Sequence, residues 1–244
     1  MDKIKTLKEM IDKSSNIVVF SGAGMSVASG IPDFRSANGI YSQKCGYSVS
    51  PEEIVSHSFF MANPEEFYDF YFKKMVYLDA KPNKAHLYFA NLGKKKLVKI
   101  VTQNIDSLDK AAGSKIVYEI HGTIRDNYCM KCHKFYKIED IVNMAVPRCS
   151  CGGLIKPDVV LYEEGLDETL ITQSIRAIES ADMVIVIGTS LSVYPAASFI
   201  RYYPGHRLVL INKTKTNYDS YANLVINDDI IHVVEELERL DGEN

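Results

Sequence analysis

The sequence predicts an α/β fold: a mostly parallel, doubly wound sheet with a smaller second lobe. Three observations carry that expectation. Short β-branched runs recur along the chain, each ending in turn-forming or polar residues. Amphipathic helical segments lie between several of them. Two stretches, residues 36–92 and 127–155, break the alternation.

The elements follow in order. Residues 3–13 read as a helix, because Ile4, Leu7, Met10 and Ile11 share one face. Ile17-Val18-Val19-Phe20 is a buried strand that ends in Ser21-Gly22-Ala23-Gly24, and a probable helix opens there. The same design returns at Leu97–Val101 before Thr102-Gln103-Asn104, at Ile116–Ile120 before His121-Gly122, and at Met183–Ile187 before Gly188-Thr189-Ser190. It recurs at Leu208–Ile211 before Asn212 and at Leu224–Ile226 before Asn227. Residues 167–180 and 231–240 read as helices. The aromatic-rich stretch 36–92 looks helical, and 127–155 holds four of the five cysteines; both are expected to be insertions that together form the smaller lobe.

Composition excludes several classes. The chain has 244 residues, 46% hydrophobic and 24% charged, with a formal net charge of −3. That balance argues against a dedicated nucleic-acid binder, which carries a basic stripe for phosphates. No apolar run reaches the about 18 residues of a membrane span. The start, Met1-Asp2-Lys3-Ile4-Lys5, is unlike a signal peptide, so the expected compartment is the cytoplasm.

In a doubly wound sheet ligands sit beyond the carboxyl ends of the strands, so the polar residues there are the candidate site. Gly22-Ala23-Gly24 is either a phosphate cradle or a tight strand-to-helix turn; the third glycine of a full dinucleotide fingerprint would fall at Val27. Asp33-Phe34-Arg35 follows on a loop, where an Arg could reach phosphate and a Phe could cover a flat ring; a surface Asp–Arg pair is the plainer alternative. Gln103, Asn104 and Asp106 are expensive to bury unless paired, and a carboxamide such as nicotinamide would match them; helix capping is the alternative for Asn104 and Asp106. His121 is suited to act as a general base at neutral pH, or is structural. Cys129-x-x-Cys132, sixteen intervening residues and Cys149-x-Cys151 suit tetrahedral Zn(II) in a closed, structural site; a redox pair or free thiols is the alternative.

Together these motifs resemble the sirtuins, the NAD-dependent protein deacylases. The match runs through Gly22-Ala23-Gly24-x-Ser26-x-x-Ser29-Gly30-Ile31-Pro32-Asp33-Phe34-Arg35-Ser36, Thr102-Gln103-Asn104-Ile105-Asp106, His121-Gly122 and the paired cysteines. It continues through Gly188-Thr189-Ser190-Leu191-x-Val193-x-Pro195-Ala196 and Ile211-Asn212. The resemblance implies one catalytic domain over 1–244: a Rossmann-like large lobe (1–36, 93–126, 156–244), a helical module (37–92) and a zinc-binding module (127–155). It implies NAD as co-substrate, one structural Zn(II), and acetylated protein or peptide substrates; a monomer with no nucleic acid and no membrane as partner is the expectation beside it.

Carried over by position, the resemblance assigns Ala23, Phe34 and Arg35 to the dinucleotide. Gln103, Ile105 and Asp106 go to the nicotinamide and its ribose, with Asn104 and His121 as catalytic residues and His121 as the base. Thr189, Ser190 and Asn212 go to the phosphates and adenosine ribose, and Asp229 faces adenine. Substrate peptide would pair as a strand with Val159–Tyr162, including Val160 and Tyr162, and with the segment around Leu191–Val193. The family usually has Gly-Glu after this Tyr, whereas this chain has Glu163-Glu164; the added carboxylate is expected to favour basic substrates. Tyr71-Phe72-Lys73-Lys74 stands where relatives that remove acidic acyl groups carry Tyr-x-x-Arg, which favours acetyl-lysine here. A mono-ADP-ribosyltransferase, a zinc-bearing interaction module with a vestigial nucleotide site, and an NAD(P)H oxidoreductase are the competing readings.

Overall fold

The structure is a computed structural model that describes residues 2–34, 36, 39–42 and 46–242. Arg35 and Cys45 lie outside the described residues. In chain order the elements are α1 (Lys3–Asp12), β1 (Asn16–Ser21), α2 (Pro51–Ile54), α3 (His57–Ala62), α4 (Pro64–Lys74), α5 (Lys84–Leu92), β2 (Leu97–Thr102), α6 (Leu108–Ala111) and β3 (Val117–Glu119). They continue with β4 (Gly122–Cys129), β5 (Phe135–Lys137), α7 (Ile138–Ile141), β6 (Ile155–Val159), α8 (Glu168–Glu179), β7 (Met183–Ile187), β8 (Leu208–Ile211), β9 (Leu224–Ile226) and α9 (Ile230–Gly242).

Six strands form a parallel sheet in the order β3-β2-β1-β7-β8-β9. Its central strands are apolar at nearly every position because both faces are covered. Side-chain alternation splits each strand between the two faces. Ile17 and Val19 join a core with Leu7 and Ile11 of α1, Phe89 of α5 and Val233 and Leu237 of α9. Val18 and Phe20 face the opposite core, with Ala177 and Ile178 of α8 and with Phe199 and Ile200. Helix α1 starts where the Asp2 carboxylate accepts the N–H groups of Ile4 and Lys5, and α8 starts where Asp167 accepts that of Leu170.

The smaller lobe has a separate core. Phe60, Phe67, Tyr68, Phe70 and Tyr71 of α3 and α4 are buried against Ile124, Ile138 and Ile155, each contributing about 1.5–3 kcal/mol. A three-stranded antiparallel sheet, β5-β4-β6, lies beside them.

The structure differs from the sequence expectations in four places. Helix α5, expected with the helical module, packs instead on the parallel sheet, because Ala85, Tyr88 and Phe89 face the α1–α9 core. The helix after the glycine loop is a 3-10 helix, Ala23–Ser29, closed by left-handed Gly30. Strand β3 is shorter than the apolar run that announced it. Strands β4, β5 and β6 carry no apolar run strong enough to announce them, since β5 is half exposed and β6 contains Pro157. Among the described residues no helix is long and apolar enough to cross a membrane.

Candidate active site

The sheet reverses direction of growth at β1, which pairs with β2 on one side and β7 on the other. That switch point opens a crevice beyond the strands' carboxyl ends. The chains leaving β1 and β7 touch there. A Cβ on Gly24 would sit 2.8 Å from the Gly188 Cα, and one on Gly188 would sit 2.4 Å from the Met25 nitrogen. Gly188 also has φ +62°, so glycine is required twice over. The N–H groups of Gly22, Gly24 and Met25 are spent inside this contact, on Ile187 O, Gly188 O and Gly22 O. The loop is therefore first a close-packing device between two strands, which shapes the crevice floor.

Asn104, Ser26 and Asp106 form a chain of hydrogen bonds at the end of β2. The Asn104 Nδ2 donates to Gly22 O (3.1 Å) and Ser26 Oγ (3.1 Å), and Ser26 donates to Asp106 Oδ2 (2.7 Å). The other Asp106 oxygen accepts the Leu108 N–H at 2.8 Å. Burial raises the Asp106 carboxyl's pKa, while Ser26 and Leu108 pull the other way. Gln103 Nε2 donates to Thr189 Oγ1 at 3.1 Å, joining the ends of β2 and β7. These bonds resolve the burial cost of Gln103, Asn104 and Asp106. Behind them, burial together with the Asp106 and Glu119 charges pushes Asp109 up to about 7, and its Oδ1 has no hydrogen-bond partner.

His121 follows β3. Its Nδ1 lies 2.9 Å from the Gln103 carbonyl oxygen, and burial lowers its pKa from 6.5. The next residue is glycine for a steric reason: with φ +78°, a Cβ on Gly122 would sit 1.9 Å from Asp158 O, where β4 meets β6.

Two cavities meet at this point. One, of about 360 Å³, is lined by Gly22, Gly24, Gly188, Thr189, Ser190, Asn212 and Thr214. The other, of about 270 Å³, is mostly apolar and is lined by Ile105, Asp106, Val160, Leu161, Tyr162 and Lys74 among others. Ala23, Phe34, Gln103, Asn104, His121 and Val193 line both. Phe34 is held at the junction by its ring contact with Tyr41, 5.3 Å between centroids, and by the Tyr41 N–H on its carbonyl.

Of the residues assigned to catalysis, the dinucleotide or zinc, all but Arg35 and Asp229 line one or both cavities or form the cysteine cluster. Arg35 and Cys45 lie outside the described residues. Asp229 lines neither cavity; it pairs with Lys213 at 2.8 Å and caps α9 through the Ile231 N–H. Ser26, whose hydrogen bonds join Asn104 to Asp106, had no role from the sequence. Its spacing of three from Ala23 places it one turn further along the same 3-10 helix, which is the signal that would have found it.

The segment after β6 is less strand-like than expected. The strand ends at Val159, and Val160–Tyr162 continue along the apolar cavity. The Val160 N–H donates to His121 O, and Tyr162 exchanges backbone bonds with Val55 and His57. Glu163 lines the apolar cavity with its carboxylate anchored through one oxygen. Its Oε2 accepts both the N–H (2.8 Å) and the hydroxyl (2.5 Å) of Ser58 at the start of α3. Glu164 bonds His57 Nδ1, the Leu161 N–H and Lys156. The two Ser58 bonds hold the Glu163 carboxylate ionised and in place, so the charge expected to favour basic substrates stays at the cavity rim.

The four cysteine sulfurs of the zinc-type motif lie within 4.8 Å of one another. The Cys129–Cys151 and Cys132–Cys149 sulfurs are 3.5 and 3.6 Å apart. Four thiolates around Zn(II) at about 2.3 Å would stand about 3.8 Å apart, so the donor set and its spacing fit that ion. A closed four-thiolate shell leaves no position for water, which makes the site structural.

The profile of the Sir2 family matches residues 22–195. A protein of Clostridium acetobutylicum named NAD-dependent protein deacetylase is 53% identical over 96% of this chain and 98% of its own length. A solved Sir2 structure with a p53 peptide and NAD+ superposes with a TM-score of 0.87 at 37% identity, covering 99% of this chain and 100% of that one. Another Sir2 structure, with deacetylated p53 peptide and 3′-O-acetyl ADP ribose, has a TM-score of 0.88 at 38% identity over 99% and 98% of the two chains. On the extent and level of these matches, the chain belongs to the Sir2 family.

Proposed function

We propose that this protein is an NAD-dependent protein lysine deacetylase. Consuming one water at the final step, it moves the acetyl group of acetyl-lysine onto ADP-ribose and releases nicotinamide, O-acetyl-ADP-ribose and free lysine. The observation that carries this reading is the common wall of the two cavities. A glycine-floored crevice with Thr189, Ser190 and Asn212 on its wall and a second cavity lined by Ile105, Val160 and Leu161 meet at one half-buried histidine, which is the geometry needed to bring a dinucleotide and an acylated side chain together from opposite sides. The similar Sir2 structures, named for NAD+, p53 peptide or the acetylated ADP-ribose, cover 99% of this chain.

Ala23, Thr189, Ser190 and Asn212 are the residues to hold the phosphates and the adenosine ribose. Gln103, Asn104, Ile105 and Asp106 hold the nicotinamide end, and Arg35 is kept as a phosphate partner on the resemblance alone. NAD supplies the electrophilic ribose carbon and the nicotinamide leaving group. Phe34 at the junction excludes water from the reacting ends, which protects the co-substrate from hydrolysis. The Val160 carbonyl, which takes no hydrogen bond from the described residues, is available to the amide N–H of acetyl-lysine. The second cavity's apolar wall suits the lysine methylenes and a short acyl group.

His121 acts through Nε2. Because Nδ1 donates to the Gln103 carbonyl, the lone pair lies on Nε2, which takes the proton of a ribose hydroxyl. Asn104 orients the nicotinamide ribose, held in turn by Gly22 O and Ser26. One zinc ion, bound by Cys129, Cys132, Cys149 and Cys151, braces the β4–β6 sheet on which Val160 is carried. The large lobe, helical module and zinc module act as one catalytic unit. We place the protein in the cytoplasm, a reducing compartment that suits four clustered unpaired thiols.

Mass spectrometry of an acetyl-lysine peptide incubated with the protein and NAD tests the reading. Loss of acetyl with matching nicotinamide and O-acetyl-ADP-ribose, abolished in His121→Ala, is the expected result. ADP-ribose on protein with the peptide unchanged would establish the transferase instead.

A further inference from the structure

Asn83 lies before α5 and lines neither cavity. Its side chain faces two ways. The Oδ1 caps α5 by accepting the N–H groups of Ala85 (3.0 Å) and His86 (3.4 Å). The Nδ2 donates to the Met25 carbonyl (2.8 Å) and to Ser29 Oγ (3.0 Å). Met25 and Ser29 belong to the 3-10 helix that begins at Ala23 and leads through Gly30 to Phe34. Met25 is also the residue whose nitrogen meets Gly188 at the crevice floor.

His86 completes the arrangement. Its Nδ1 accepts the Asn83 N–H at 3.3 Å, which fixes the backbone from which the amide projects. The ring is fully buried, and burial pushes its pKa down to about 4, so it keeps that acceptor at neutral pH. Asparagine alone among short side chains carries both an acceptor for a helix cap and two donors for a second partner. Both halves of that capacity are used here.

We infer that Asn83 is a positioning residue for the NAD site: its amide N–H groups, bonded to Met25 and Ser29, fix the seat of the 3-10 helix that carries Ala23 and launches the Phe34 loop. This inference rests on the NAD-dependent deacetylase reading. It is distinct from helix capping, because capping uses only Oδ1. Without the donors, the 3-10 helix keeps its Gly188 contact and the Ser26 bonds to Asn104 and Asp106 but loses its tie to the start of α5. The crevice floor then fits the dinucleotide less well, and Phe34 covers the reactive ribose less completely.

Asn83→Asp separates the two roles. Aspartate caps a helix as well as asparagine, but it has no N–H for Met25 O. Ser29→Ala removes the second acceptor independently. Four readouts are taken on each variant and on the wild type: NAD affinity by calorimetry, peptide affinity, melting temperature without ligand, and the ratio of nicotinamide to O-acetyl-ADP-ribose formed. For Asn83→Asp, NAD binding is expected to weaken about tenfold, with peptide affinity within about twofold of wild type and the melting temperature retained. Nicotinamide is expected to exceed O-acetyl-ADP-ribose as water reaches the ribose. Ser29→Ala is expected to shift NAD affinity in the same direction by less. Unchanged NAD affinity in Asn83→Asp overturns the inference. So does a parallel loss of NAD affinity, peptide affinity and melting temperature, which would leave Asn83 a cap only. A wild type that binds NAD without deacetylating overturns the functional reading while the calorimetry still decides the role of Asn83.

Discussion

His121 Nδ1 and the Gln103 carbonyl oxygen stand 2.9 Å apart. A carbonyl can only accept, so the proton is on Nδ1 and the neutral ring offers Nε2 as the base. Burial holds the ring's pKa below 6.5. The acid limb of kcat/KM is therefore expected below pH 6.5, because activity needs the neutral ring and is lost as pH falls through its pKa. Replacing His121 by Ala or Asn should lower kcat by about 10²–10⁴-fold and remove that limb. A pH–rate profile of wild type against His121→Asn decides it; an unmoved limb would assign the ionisation to another group.

Asp109 gives a stability prediction of opposite sign. Its carboxyl titrates at about 7 in the fold, against 3.8 unperturbed. The folded state holds a proton that the unfolded chain has released, so this contribution to stability is complete below pH 3.8 and is lost as pH rises to 7. Asn at this position needs no such proton. Thermal melts of Asp109→Asn should match wild type near pH 4 and exceed it above pH 7, by a few kcal/mol at most. A constant difference across that range would show that the carboxyl is ionised throughout.

Gly24 tests the strand contact. A methyl group there meets the Gly188 backbone at 2.8 Å, and neither strand end can give way cheaply. Gly24→Ala should displace the crevice floor and cut kcat/KM for NAD by about 10²-fold, with a smaller effect on peptide affinity. Steady-state kinetics varying each substrate in turn provide the check, and equal losses for both would point to general misfolding.

The cysteine cluster predicts one zinc per chain by elemental analysis. Chelation should lower the melting temperature sharply, because a structural metal contributes directly to folding. Cys149→Ser is expected to do the same and to yield protein with little zinc. Activity should follow the folded fraction; a zinc-free protein that stays folded but inactive would give the ion a catalytic role.

The large lobe was legible because its strands are covered on both faces and therefore written as unbroken apolar runs, as in Met183–Ile187. The polar residues at their ends, from Gln103 to Asn212, marked the crevice for the same topological reason. The small sheet was hidden. Tyr128 and Phe135 are exposed and pair through their rings at the surface, and Pro157 sits inside β6, so no period of two emerges. Helix α5 was visible as a helix, but its destination was not, since an apolar face does not say which core it joins. The sequence placed the Glu163 carboxylate beside the groove but could not show its anchor, since only the fold brings Ser58 to it. The Lys213 pair and the α9 cap at Asp229 were likewise invisible in the sequence, because both partners are brought to it by the fold.

The six residues common to both cavities have a thermodynamic consequence. When one reactant settles against Ala23, Phe34, Gln103, Asn104, His121 and Val193, it becomes part of the surface the other must meet. The two affinities are then bound by reciprocity: whatever factor the peptide adds to dinucleotide affinity, the dinucleotide adds to the peptide's. Dissociation constants measured one reactant at a time describe half-built sites, and only the ternary complex reports the affinity under which the enzyme turns over.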